Sequence, residues 1–216
     1  PDGVVNIITG DGTTGSLIVN HKDINKIAFT GSTQVGKLIQ KSLAGRDVGL
    51  TLELGGKAAN IVYEDAAIDQ AVEGVVNGIF FNQGHVCCAG SRLLLQESIH
   101  DEFVAKLEKR MQTLRVGNPL DKNTDIGAIN SKEQLNKIEG LVNEGVSDGG
   151  KIFQTECELP GNGFWFKPTL FTDVQPSYSI AREEIFGPVL TTLTFRTPQE
   201  AVEIANNTEY GLSAGV

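Results

Sequence analysis

Cysteine is scarce in this chain. Cys87, Cys88 and Cys157 make an odd count, and their spacing suits no disulfide framework. That excludes a small bridged secreted scaffold and points to a reducing compartment, which we read as the cytoplasm. Histidine is as rare, with only His21, His85 and His100. No second Cys or His pair completes a metal site beside the vicinal thiols, and adjacent cysteines are poor joint ligands for one zinc, so no metal is expected. No apolar run is long enough to span a bilayer. The first residues, "PDGVVNIITG", lack the charged-then-apolar order of a signal peptide. Blocks of like charge, internal repeats and low-complexity segments are absent too. Positive charge is in deficit: 18 Lys and Arg stand against 27 Asp and Glu, a formal net charge of -9. The sequence pI is about 4.8. Such a balance excludes a general attraction to nucleic acid or to an anionic membrane surface.

What is present is ordinary globular composition: 216 residues, 40% hydrophobic and 21% charged, enough for one large core or two small ones. Both ends read as cut from a longer chain, since Pro1 opens directly on a strand-like run and Val216 stops inside "YGLSAGV". Three β-rich runs come first: Val4–Thr9, Asn25–Ser32 and Val48–Gly56. Val35, Leu38, Ile39 and Leu43, at helical spacing, lie between the second and third. Strand and helix alternating at this spacing predict a parallel sheet with crossover helices, the last part of a nucleotide-binding sheet. Beyond Gly56 a strand is expected at Ala59–Tyr63. A periodic helix follows, carrying Ile68, Ala71, Val72, Val75, Val76 and Ile79. Further strands are expected at Ser91–Gln96, Phe164–Phe171 and Pro188–Phe195. Ser98 with Asp101 predicts the start of a helix through Phe103, Leu107, Met111 and Leu114. Ser131 with Gln134, and Thr197 with Glu200 and Pro198, mark two more helix starts.

Three segments have the makings of a site. In "FTGSTQVG", Phe29–Gly36, a β-run ends at a glycine turn and hydroxyl residues open a helix. That arrangement aims backbone N–H groups and the helix dipole at an anion such as a phosphate. The spacing is neither GxGxxG nor GxxxxGK[ST], and a plain N-cap by Ser32 explains the pattern equally well. In "LELGGK", Leu52–Lys57, Glu53 ends an apolar strand. It reads either as a desolvated general base, with the two glycines admitting a ring close to the backbone, or as an edge glutamate before a turn. In "FFNQGHVCCAGSR", Phe80–Arg92, small residues crowd a loop around the thiols and leave room for a ligand. A thiol is the best nucleophile among neutral side chains. A buried structural thiol is the commoner fate of a lone cysteine and suits Cys157.

These motifs, in this order, together with "GNPLDKNTDIGAIN", "FWFKPTLFTDV" and "EEIFGPVL", resemble the aldehyde dehydrogenase superfamily over the whole chain. The resemblance implies an α/β fold. Residues 1–56 would be the end of a Rossmann-type dinucleotide-binding domain, and 57–216 most of an open α/β catalytic domain. It implies NAD or NADP as cofactor, an aldehyde as substrate, and a homo-oligomer in the full-length protein. Cys87 becomes the nucleophile, Cys88 a neighbour, and Glu53 the base that activates the hydrolytic water. Gly31 and Ser32 would meet the pyrophosphate, with Leu54 and Gly55 beside the cofactor. Glu184 would bond the nicotinamide ribose and Phe186 pack by the nicotinamide; a solvated turn carboxylate and a core aromatic are the plainer readings of those two. Gln134 and Lys137 fall where relatives touch the adenosine ribose, and Gln134 serves a capping box equally well. His85 departs from the Gln or Glu usual after the glycine. The resemblance also implies that the oxyanion-hole asparagine lies before Pro1 and the substrate loops after Val216, so the isolated chain is expected to turn over little. Two rival readings are a coenzyme A-acylating dehydrogenase and a truncated binding module.

Overall fold

The computed structural model describes residues 1–216. The chain divides into two units, Pro1–Gly55 and Gly56–Val216. In the first, α1 (Gly12–Asn20) precedes β1 (Lys26–Thr30), α2 (Thr33–Leu43) and β2 (Gly49–Glu53). The Asp11 side chain accepts from the Thr13 N–H at 2.9 Å and starts α1 where the backbone donors would otherwise be orphaned. The two strands pair in parallel from Lys26–Gly49 to Thr30–Glu53. Strand alternation turns Ile27 inward to meet Val19, Ile39 and Leu43 of the two helices. Arg46 donates to the Val19 and His21 carbonyls at 2.7 and 2.8 Å, which satisfies acceptors at the end of α1.

The expected strand at Val4–Thr9 does not form. Val5 and Ile7 are 79% and 87% exposed, and no neighbouring strand takes up their backbone groups. β-propensity without a partner ladder leaves the backbone to water.

The second unit holds β3 (Ala59–Val62), α3 (Ile68–Phe80), β4 (Arg92–Gln96), α4 (His100–Met111), α5 (Lys132–Ser147), β5 (Lys151–Gln154), β6 (Thr169–Thr172), α6 (Ser179–Arg182), β7 (Val189–Phe195), α7 (Pro198–Asn206) and β8 (Ala214–Gly215). The six strands run in the order β5-β6-β7-β4-β3-β8, parallel except for β5, which pairs antiparallel with β6. β4 is central and buried from Arg92 to Leu95. Leu93 and Leu95 face one cluster with Val72, Val76, Phe103 and Leu107 of α3 and α4. Leu94 faces the opposite cluster with Leu193, Phe195 and Ala201 of β7 and α7. A strand covered on both faces therefore reads as a continuous apolar run, as "RLLLQ" does after its arginine. A third cluster seats Ile138 and Leu141 of α5 on Phe171 and Val189.

Some local expectations are corrected. Ser98 does not cap α4: its hydroxyl donates to Glu64 at 2.8 Å, a short 3-10 turn at Glu97–Ile99 precedes the helix, and Leu114 lies beyond the helix end. The strand expected over Phe164–Phe171 is confined to Thr169–Thr172; Pro168 has no N–H to donate to a ladder, and pairing begins just after it. Ser131 and Thr197 do cap α5 and α7, by accepting from the N–H of Gln134 and Glu200.

Candidate active site

At the ends of β1 and β2 the Gly31 N–H donates to the Glu53 carbonyl at 3.0 Å, which brings "TGS" beside "ELGG". Ser32 caps α2 by accepting from the Val35 N–H at 3.3 Å. The N–H groups of Thr33 and Gln34 have no acceptor in the chain. Two free donors at a helix N-terminus fit a pyrophosphate. Leu54 lies over Gly36 of α2, where a methyl group at position 36 would fall 2.5 Å from the leucine side chain. Glu53 itself is exposed, contrary to a carboxylate desolvated among Leu and Gly. The alternation of β2 explains this. Leu50 and Leu52 are half-buried, while Thr51 and Glu53 point to the other face and stay in solvent.

The cysteines sit on a sharply built loop in the second unit. Asn82, Gln83 and Gly84 take left-handed backbone conformations in succession, with φ of 50°, 47° and 75°. Two non-glycine residues there cost on the order of 1–2 kcal/mol each. Local bonds offset part of this: the His85 N–H donates to the Asn82 carbonyl, and Asn82 Nδ2 donates to the His85 carbonyl at 3.1 Å. Gly84 is required, because a methyl group at that position would overlap the Gly187 carbonyl. A turn closed by the Ala89 N–H on the Val86 carbonyl then presents Cys87 and Cys88 at its centre. Cys87 is half-buried and Cys88 exposed. No acceptor of the chain takes the Cys87 N–H. A free N–H beside a thiol could meet an oxyanion formed next to the sulfur.

The loop after α6 closes on this turn. The Gly56 N–H donates to Glu184 Oε1 at 3.0 Å. A side chain at Gly56 would overlap the Cys87 carbonyl, so Gly56 bridges the cysteine turn and the glutamate through backbone alone. Phe186, at φ 55°, stacks on His85 with ring centroids 5.2 Å apart and an interplanar angle of 7°. Burial pulls the His85 imidazole below its ordinary pKa and favours the neutral ring. Gln134 forms half a capping box. Its N–H caps onto Ser131, but its side-chain amide donates to the Ile185 and Phe186 carbonyls at 2.8 and 2.9 Å and clamps the glutamate loop. Lys137 lies one turn further along α5 and is exposed.

The second unit thus brings Cys87, Glu184, Phe186, His85 and Gln134 together around Gly56. Gly31, Ser32, Glu53, Leu54 and Gly55 cluster in the first unit. No group of three His, Cys, Asp or Glu side chains is placed to hold a metal ion.

The sequence profile described as "Aldehyde dehydrogenase family" matches residues 1–216. The chain belongs to the aldehyde dehydrogenase family. It is 48% identical to an aldehyde dehydrogenase of Emericella nidulans, over 100% of this chain and 44% of that protein. It is 46% identical to human mitochondrial aldehyde dehydrogenase, over 100% of this chain and 42% of that protein. The crystal structure of an NAD-dependent aldehyde dehydrogenase from Sinorhizobium meliloti superposes with a TM-score of 0.96 at 42% identity, over 99% of this chain and 43% of that one. The α/β fold is therefore that of the family, and the chain spans less than half the length of the relatives it matches.

Two residues of this family member had no role in the sequence reading. Lys57 follows the two glycines and is 1% exposed. Arg92 opens β4 and donates to the carbonyls of Lys57, Ile204 and Ala205 at 2.8, 3.0 and 2.8 Å. The available signal was a lone cation inside or at the edge of an apolar run, in "GGKAANIV" and "SRLLLQ".

Proposed function

We propose that the protein carrying this chain oxidises an aldehyde to a carboxylic acid with NAD or NADP, through a covalent adduct on Cys87. One observation carries the reading: the turn bearing Cys87 and the loop bearing Glu184 meet at Gly56 in backbone contact. That places a half-buried thiol, a free N–H and a half-buried carboxylate in one neighbourhood. Gly31 and Ser32 receive the pyrophosphate, with Leu54 and Gly55 beside it. Glu184 accepts from the nicotinamide ribose and Phe186 packs by the ring. Gln134, whose amide oxygen accepts nothing within the chain, and Lys137 meet the adenosine ribose. Bound NAD(P) supplies the hydride acceptor. The chain's part is to hold the aldehyde. The Cys87 thiol gives its proton to solvent, the thiolate sulfur bonds to the carbonyl carbon as the C=O π bond opens, and the Cys87 N–H steadies the resulting oxyanion of the thiohemiacetal. Once the adduct is a thioester, Glu53 takes a proton from the water that attacks it, and the acid leaves with the thiol restored. Glu53 on an exposed strand end is open to solvent for that proton.

The substrate is a small-molecule aldehyde, and the working protein a homo-oligomer. No helix is long and apolar enough to cross a membrane. We keep a cytoplasmic location as our reading, on the free cysteines. The isolated chain, at less than half the length of its relatives, turns over at no more than about a hundredth of the rate of the full-length protein.

The test uses that full-length protein. Cys87→Ser is expected to abolish NAD(P)H formation, while Cys88→Ser retains it. Glu53→Gln is expected to give one burst of NAD(P)H and then stall, with the acyl group on Cys87 visible by mass spectrometry. Steady turnover in Cys87→Ser refutes the nucleophile. A Glu53→Gln enzyme that stalls in water yet turns over with coenzyme A favours the acylating reaction.

A further inference from the structure

Two buried side-chain atoms in the chain lack a hydrogen-bond partner, Lys57 Nζ and His85 Nε2. Lys57 is the more demanding. Its backbone is held on both sides: the Gly56 N–H is on Glu184 Oε1 at 3.0 Å, and its own carbonyl accepts from Arg92 Nε at 2.8 Å. Gly56 is pressed on the Cys87 carbonyl. The amine is thus fixed in the interior. No salt bridge reaches it. The charges acting on it come from Arg92 on β4, Lys137 on α5, and Glu184 and Glu183 on the loop after α6. Glu184 is the larger of the two attractive ones, and Glu183 is exposed. Arg92 directs its guanidinium at three carbonyls, one of them the carbonyl of Lys57 itself. Desolvation first, and the Arg92 charge second, pull the amine down to about 7. A methionine would fill the same volume without that desolvation. The lysine therefore brings a charge that folding does not need, beside the one carboxylate that faces Gly56.

We propose that Lys57 is a positioning residue for Glu184: its ammonium, buried next to the Gly56 N–H that Glu184 Oε1 accepts from, keeps the Glu184 carboxylate directed at Gly56, ready to accept from the hydroxyls of a dinucleotide ribose. This rests on the ribose role of Glu184 given above. Protonated Lys57 strengthens the site and neutral Lys57 weakens it. Dinucleotide affinity is then greatest below the Lys57 midpoint and falls as pH rises through it.

Two measurements on the full-length protein test this. The first follows lysine side-chain NMR signals with pH, without nucleotide. One lysine titrates near neutrality, is missing in Lys57→Met, and moves down by about half a unit or more in Glu184→Gln. An unchanged midpoint in Glu184→Gln overturns the proposal, and this measurement needs no folded Lys57 variant. The second is NAD affinity by calorimetry at about pH 6 and about pH 8.5. The unsubstituted protein loses about fivefold or more in affinity between the two, and Lys57→Met binds weakly and equally at both. A Lys57→Met protein that keeps the original pH dependence also overturns the proposal. If Glu184→Gln binds NAD as tightly as the unsubstituted protein, the ribose role of Glu184 fails instead, and Lys57 has nothing to position.

Discussion

Replacing Arg92 by methionine removes three charge-assisted hydrogen bonds while keeping most of the side-chain volume. The three acceptors differ in what becomes of them. The Lys57 carbonyl belongs to a residue that is 1% exposed, so its lone pair has no water to turn to. That loss costs on the order of 2–3 kcal/mol. Ile204 and Ala205, near the C-terminal end of α7, are half-buried. Water can take over there, and about 1 kcal/mol each is lost. Against this, a guanidinium that is 3% exposed no longer has to be desolvated, which returns part of the sum. The net expectation is a destabilisation of about 2–4 kcal/mol, read by urea unfolding. The same substitution has a second readout. Arg92 is the larger of the two positive charges that depress Lys57, so the Lys57 midpoint moves up from about 7. A loss under about 1 kcal/mol with an unmoved Lys57 midpoint refutes the reasoning, because the three bonds and the influence of the Arg92 charge would then both be idle.

Lys57 also makes stability depend on pH in a stated direction. Its folded midpoint is about 7 against an ordinary 10.5, so between those values the unfolded chain binds the extra proton. Stability therefore rises with pH across that window, by on the order of 1 kcal/mol per unit from this group. The full penalty is present below it, and Lys57→Met flattens the dependence in denaturant titrations. Gly84→Ala places a methyl group at φ 75° against the Gly187 carbonyl. Thermal unfolding should show a loss of more than about 2 kcal/mol, and an unchanged Tm would mean that the two loops are not in backbone contact. Phe186→Leu removes the ring stacked on His85. Its expected result is an NAD affinity several-fold lower with stability within about 1 kcal/mol of the parent, by calorimetry and melting.

The helices were the most legible elements. α3 and α5 carry apolar residues at the period that buries one face, and Ser131 and Thr197 cap their helices as the pattern predicts, because both signals act over one or two turns. Strands were legible only where a partner exists. "VVNIIT" has the composition of a strand and lies in solvent, while the short "KIFQ" has little strand signal of its own and forms the antiparallel edge β5. In the sequence the motif glycines read as room for a ligand. Gly56 and Gly84 turn out to be where Cys87 and Gly187 approach the backbone.

Sequence alone determined the alternating α/β character, the family, and the residue types at the site. These rest on local periodicity, caps and short motifs whose chemistry travels with the residues. Tertiary structure decided the environment of each group. It left Glu53 exposed, turned the Gln134 amide from its cap onto the glutamate loop, and buried the Lys57 amine without a hydrogen-bond partner. Desolvation and hydrogen-bond partnership are set by segments far apart in the chain, 128 residues apart for Gly56 and Glu184, and no local pattern encodes them.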